Sequence, residues 1–354
     1  MKLSYSLIAV LFITLFSGCK QDFDVTADYK EIPVVYGLFN QQDNKHYVRI
    51  QKGYLIDGNA LLAAGVPDSV YYPDVLNVTL TPYTASGTQQ GAIIHLTRVD
   101  GNTVSLPKDS GLFANTPNWL YTFTGSLDAN KNYKLTIINT SNGDTIINKK
   151  IDGVAGVTLV KDFQIFVPTK GLKMNLQNVS ASHVRWSDAE NAGIYDLTVT
   201  FFYTEYRLSD GTFYKNDSIN VPIFKSDIQD YAAGHTNDIE LTSDMLLHYL
   251  AANVKSDIDV IREFDITRGM KFKFAAGGTE LAKFVNSRAA QGGLASNEAL
   301  PPYTNIDKGV GLLSSRYFKQ VDSVLFTNNA LDSLACSDIT RGLRFKNHSG
   351  AICQ

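Results

Sequence analysis

From residue 31 onward, apolar and polar positions alternate with a period of two over most of the chain, the pattern of half-buried strands. Ile32–Asn40 is apolar and β-branched, with Pro33 near its start, where a strand tolerates it. After a turn at 41–44, Tyr47, Arg49 and Gln51 alternate with Val48 and Ile50. Further strands are expected over Val75–Tyr83, Ala92–Val99 and Leu120–Phe123, and Asn59–Ala64 reads as a short helix capped by Asn59. Asn142-Gly143 is a hairpin signal, with Thr145–Ile151 as the returning strand.

Gly153–Gly156 marks a boundary, and a second strand-rich segment begins near Val157. Thr198–Leu208 carries Phe201 and Tyr203 on one face and Phe202 and Tyr206 on the other, then turns at Asp210-Gly211 and returns over Thr212–Val221. Residues 225–305 break the pattern. Thr242 or Ser243 caps a helix that aligns Leu246, Tyr249, Leu250 and Val254. Phe264, Ile266, Met270, Phe272 and Phe274 return to period two. Thr279 then caps a second helix with Leu281, Phe284, Val285 and Arg288 at helical spacing. The last strands are Val310–Tyr317 and Val321–Phe326. Gly309 and Gly311 at their start permit a tight turn or bulge. A phosphate loop there would need a Gly-Lys-Ser/Thr ending and a following helix, and the sequence has neither.

Two local runs add a fold. Leu127 followed by Tyr133 resembles the E–F corner of immunoglobulin-like and fibronectin type III modules. Trp186 with Ala189–Leu197 resembles the B and C strands of a fibronectin type III module. The expectation is a mainly β chain of two such β-sandwich domains, 31–155 and 156–328, the second with a helical insertion at 225–305, then a C-terminal segment at 329–354. Tyr133 and Trp186 are expected in the two cores.

The first residues say where the protein works. Lys2 precedes an apolar run from Leu7 to Phe16, too short to span a bilayer, which needs about 20 residues. This is the form of a secretory signal over residues 1–18. Leu15-Phe16-Ser17-Gly18-Cys19 resembles a bacterial lipobox, which implies cleavage before Cys19 and its diacylation. Residues 19–30 are polar and acidic and read as a tether. Lys20, Asp22 and Asp24 resemble the export tag of Bacteroidota lipoproteins, which implies the outer face of the outer membrane. The alternative is its periplasmic face.

Cleavage would leave 354 − 18 = 336 residues, more than one core usually holds. It would remove Lys2, so 31 basic residues would face 35 acidic ones, a balance of −4 without the footprint of a nucleic-acid binder. Apart from Cys19 the cysteines are Cys336 and Cys353, expected to form a disulfide in an exported protein. The pair is not CxxC, and only His348 stands near it as a metal ligand.

Three runs together resemble a class of Bacteroidota outer-membrane lipoproteins built on a domain of unknown function. They are Val34–Leu38 with His46–Ile50, Asn59–Leu61 with Pro67–Tyr72, and Tyr303–Arg316. The resemblance implies an exported cell-envelope β protein and brings no substrate, cofactor or catalytic residue.

The chemistry in the sequence is sparse. The six histidines (46, 95, 183, 235, 248 and 348) form neither HxH nor HExxH, and there is no GxSxG elbow. Glu263 and Asp265 alternate onto one strand face, the ordinary place for charge. Trp119, Tyr71, Tyr72, Tyr203 and Tyr206 offer either a stacking platform for sugars or, as aromatics in sandwiches more often do, packing. We read the chain as a non-enzyme without a cofactor. The expected role is surface binding or assembly at the outer membrane, as an accessory to an outer-membrane transporter. Its partners are then the membrane, through the lipid, and an outer-membrane protein or glycan. The alternatives are a subunit of a surface fibre or adhesin, and a glycan hydrolase with a non-local site. Five Asp-Ser/Thr-aliphatic triplets, at Ser69, Thr145, Ser218, Ser323 and Ser333, resemble O-glycan acceptors of exported Bacteroidota proteins. Such triplets also simply belong in turns.

Overall fold

The computed structural model describes residues 31–53, 60–148, 150–151, 154–167, 182–225, 235–291 and 303–353. The signal, the tether with Cys19, and the cap Asn59 lie outside them. The chain is mainly β, as the alternation predicts.

The first sandwich contains β1 (Pro33–Phe39), β2 (Lys45–Lys52), β3 (Leu76–Tyr83), β4 (Ile94–Asp100), β5 (Trp119–Thr124), β6 (Asn132–Asn139) and β7 (Thr145–Ile147). Two short helices, α1 (Ala60–Ala64) and α2 (Pro67–Val70), follow β2. β8 (Lys150–Ile151) and β9 (Val154–Ala155) pair with each other, and β10 (Val157–Thr158) pairs with Tyr133 and Asn132 of β6. β4 bends between the layers: Ile94–Leu96 pair with β3, and Thr97–Asp100 with β5. Val35, Phe39, Val48, Ile50, Leu80, Tyr121, Leu135 and Ile137 fill the space between them.

The second sandwich sets a small sheet against a larger one. The small sheet is β11 (Ile165–Phe166), β12 (Ser182–Ser187) and β15 (Thr236–Leu241). The larger holds β13 (Ala192–Arg207), β14 (Phe213–Lys225), β16 (Val260–Phe264), β17 (Met270–Gly278) and β18 (Val310–Val324). The expected helices are present as α3 (Ser243–Asn253) and α4 (Thr279–Gln291), and α5 (Asn328–Cys336) joins them. The Thr242 hydroxyl caps α3 at the Met245 N–H. Between α3 and α4 lie two strands of the main sheet, so 225–305 builds the sandwich as well as decorating it. α3 and α5 bury Leu246, Leu250, Ala330 and Leu334 in the main core, and α4 lies on the other face of the sheet, beside Ile194, Ala275 and Gly277.

Both expected aromatic anchors are in place. The Tyr133 hydroxyl accepts from the Asp128 N–H at 2.6 Å, and the Tyr195 hydroxyl accepts from the Ala189 N–H. Each is a tyrosine corner, one per sandwich. Trp186 is fully buried among Tyr195, Phe224 and Phe274, with ring centroids at 5.4–5.7 Å.

The long strand β18 joins the halves. Val310–Ser315 pair in parallel with β1, and Arg316–Val324 pair antiparallel with β17. Residues that the sequence assigns to the second unit therefore complete the first. The Ser315 hydroxyl reinforces the seam, donating to Thr158 O at 2.7 Å and accepting from the Val160 N–H at 3.0 Å. The C-terminal segment is part of the second core: Leu343 and Phe345 are buried there, and the Cys336–Cys353 disulfide closes it onto α5.

One buried histidine sets a pH dependence. His46 stacks on Phe123 at 4.6 Å and bonds Gly125 O at 3.1 Å. Burial is the largest cause holding its pKa below 6.5. The unfolded chain binds a proton that the folded chain resists, so this stability is full above about pH 6.5 and declines as pH falls through the folded value. In His46→Phe, the melting temperature is expected to change less than in the wild type between about pH 6.5 and 5. Equal slopes in thermal scans across that window would refute it.

Candidate functional site

Outward-facing positions of β1, β2 and β18 make a cleft of about 540 Å³. Alternation puts Val35, Val48 and Ile50 into the core and turns Tyr36, Leu38, Lys45, Tyr47 and Arg49 to the other face. β18 adds Leu312 and Arg316, and Leu120 closes the side toward β5. The Phe284 ring of α4 meets the Tyr36 ring edge-on at 6.2 Å. A second hollow, of about 250 Å³ and mostly apolar, lies between α4 and the large sheet. It shares Leu38 and Arg316 with the first.

The cleft is positive. Lys45, Arg49 and Arg316 line it with a single carboxylate, Asp43. None of the three cations is ion-paired with a carboxylate of the described residues. Arg49 donates to the Tyr71 hydroxyl at 3.3 Å, Lys45 lies 5.7 Å from the Tyr47 ring centre, and the Arg316 guanidinium lies 4.9 Å from that of Phe318. The Arg316 Nε is buried with no hydrogen-bond partner among the described residues. Nearby, the Lys108 pKa is lowered, first by burial and then by the charge of Arg49. Three cations beside two tyrosines can hold anionic groups on a ring-shaped ligand, by charge-assisted hydrogen bonds and stacking.

The residues singled out by sequence fall elsewhere. Tyr71, Tyr72 and Tyr203 are buried, Trp119 lies under the Arg98 guanidinium at 4.1 Å, and Tyr206 packs against Phe213 on the other sandwich. These five form no common platform, and packing is what they do. Glu263 pairs with Lys346 at 3.1 Å and Asp265 with Arg268 at 2.6 Å, so neither is a free acid. No group of three or more His, Cys, Asp or Glu among the described residues could hold a metal ion. Thr145, Ser218 and Ser323 are exposed and Ser69 is half-buried. Ser333 is a correction: it is 1% exposed within α5 and its hydroxyl donates to Asn329 O at 2.8 Å, so the folded chain offers no acceptor there. The sequence signal for the cleft was the polar set of the β2 alternation, Tyr47 and Arg49. Arg316 could be added only by knowing that β18 lies beside β1.

No family model matches the chain, and no curated protein matches it. Among solved structures, it is similar to the C-terminal globular domain of an oligosaccharyltransferase from Pyrococcus abyssi, at 11% identity and a TM-score of 0.22. The match covers 67% of this chain and 42% of that one, so the chain spans about two fifths of its length. A likeness at this level carries no functional argument.

Proposed function

We propose that the protein is a lipid-anchored binding protein of the outer membrane, held through Cys19, whose cleft takes an acidic glycan. The observation that carries this reading is the cleft itself, with Lys45, Arg49 and Arg316 facing one carboxylate beside Tyr36 and Tyr47. Sugar rings suit the tyrosine faces, and carboxylate or sulfate groups suit the cations. The lipobox-like run and the tag-like residues after it support the anchor and the cell surface. The resemblance to Bacteroidota envelope lipoproteins supports the same setting, and a role as accessory to an outer-membrane transporter is consistent with it. Binding is favoured over hydrolysis because glycoside cleavage uses two facing carboxylates and the cleft offers one.

Affinity electrophoresis tests the reading. Polygalacturonate or heparin in the gel is expected to retard the protein, less so at high salt, whereas neutral dextran should not. Arg49→Glu combined with Arg316→Glu is expected to weaken retention at least about tenfold. Equal retardation by dextran, or an undiminished double variant, would overturn it.

A further inference from the structure

We propose that the end of the first sandwich where the tether enters is a membrane-contact surface, with Leu61, Leu62, Leu112 and Phe113 against lipid. Pairing places Pro33 opposite Lys52, and the Gly53 N–H donates to Ile32 O at 2.7 Å. The segment after β2 therefore starts beside the point where the chain enters β1. β5 pairs antiparallel with β2 and begins opposite the end of β4, Asp100 facing Trp119. The segments 60–75 and 101–118 thus crown the same end.

They are stitched together there. The Ala114 N–H donates to Ala64 O at 2.8 Å, and Lys108 Nζ donates to Ala114 O at 3.1 Å. Beneath them Val70, Tyr71 and Ala114 are buried as a small core of their own. On this fixed floor stand six of the seventeen large apolar side chains that the described residues expose: Leu61, Leu62, Val66, Leu106, Leu112 and Phe113. Leu62 is 73% exposed, Leu112 63% and Leu61 60%. Such clustering marks an interaction surface rather than scattered surface residues.

The occupant follows from the chain outside the described residues. Between Cys19 and Glu31 run the twelve residues 19–30, which span at most about 40 Å when fully extended. An acylated Cys19 holds the entry into β1, and with it this end, within about that distance of the bilayer. The second sandwich lies away from it, because β18 runs about 45–50 Å from its start beside β1. The charged residues of these segments are of both signs, Lys52 and Lys108 together with Asp68, Asp74 and Asp109. Apolar insertion at the interface, rather than headgroup charge, drives the contact.

The orientation rests on Cys19 as the proposed anchor, and the flotation measurement does not. The chain from residue 19 onward carrying Cys19→Ser, and so without acyl chains, is floated with vesicles of phosphatidylethanolamine and phosphatidylglycerol. A detectable fraction is expected to float, nearly unchanged between low and high salt. Leu62→Asp with Phe113→Asp should reduce that fraction about tenfold, while Leu208→Asp with Phe213→Asp, at the far hairpin, should leave it unchanged. All four positions are exposed, and matching thermal unfolding checks each fold. An unacylated chain that stays in solution, a tip variant that floats like the wild type, or a loss caused equally by the far pair would overturn the proposal. Failure of the anchor is read separately, as an unacylated Cys19 peptide by mass spectrometry of host-purified protein.

Discussion

Arg262→Ala is expected to destabilise the protein by about 3–5 kcal/mol, the cost of breaking a buried ion pair from one side. Arg262 is 1% exposed, and its guanidinium has three partners. Nε donates to Glu205 Oε1 at 2.9 Å, Nη1 to Leu343 O at 2.7 Å and Nη2 to Lys255 O at 2.7 Å. Its backbone continues the clasp: its N–H donates to Arg344 O and its carbonyl accepts from the Lys346 N–H. One side chain thus ties β13, β16, the segment just after α3 and the C-terminal segment together. Alanine would leave Glu205 buried with only Lys215, at 3.5 Å, and would orphan two carbonyls. Replacing both partners, Arg262→Met with Glu205→Leu, should recover much of the loss, because two apolar groups leave no charge behind. Urea unfolding measures both. An Arg262→Ala midpoint close to the wild type would show that the pair contributes little.

This pair also shows what the sequence withheld. Glu205 lies in a strand where alternation alone puts it on the same face as Phe201 and Tyr203, and the rule that charges face water argues against burial there. What reverses the rule is a partner 57 residues away together with carbonyls from residues 255 and 343, and no local pattern encodes such a meeting. The strands, turns, the first tyrosine corner and the core place of Trp186 were legible because each is written within ten or so residues: Leu127 with Tyr133, Trp186 with Ala189–Leu197, Asn142 with Gly143. The corner that Tyr195 makes with Ala189 was hidden, since that run reads as a pair of strands. α5 was not, since its apolar positions sit in a nine-residue helix between a strand and a disulfide. The cleft was half legible. Tyr47 and Arg49 announce an outward face, but a cleft needs walls, and its second wall is supplied by β18, more than 250 residues later.

Gly311 carries that long-range closure, and Gly311→Ala is expected to be the costliest small substitution in the first sandwich. Its φ is +123°, a region that residues with a Cβ rarely adopt. A Cβ built there would lie 1.9 Å from Val35 O, inside the strand it pairs with. Backbone strain alone costs about 1–3 kcal/mol, and relieving the clash would also push β1 from β18, breaking the parallel pairing between Val34–Phe39 and Val310–Ser315. A loss of about 3 kcal/mol or more follows. It should concentrate in the first sandwich, because the β17 pairing begins only at Arg316. Amide exchange is the discriminating measurement. Strands β1 and β2 should lose protection in the variant while β13 and β17 keep theirs, and Lys45, Arg49 and Arg316 should cease to act as one site. Gly342→Ala, where a Cβ meets nothing within 4 Å, is the matched control. Equal protection of β1 in Gly311→Ala and in that control would mean that the two strands can part enough to admit a methyl group. The joint between the sandwiches would then be softer than its geometry implies.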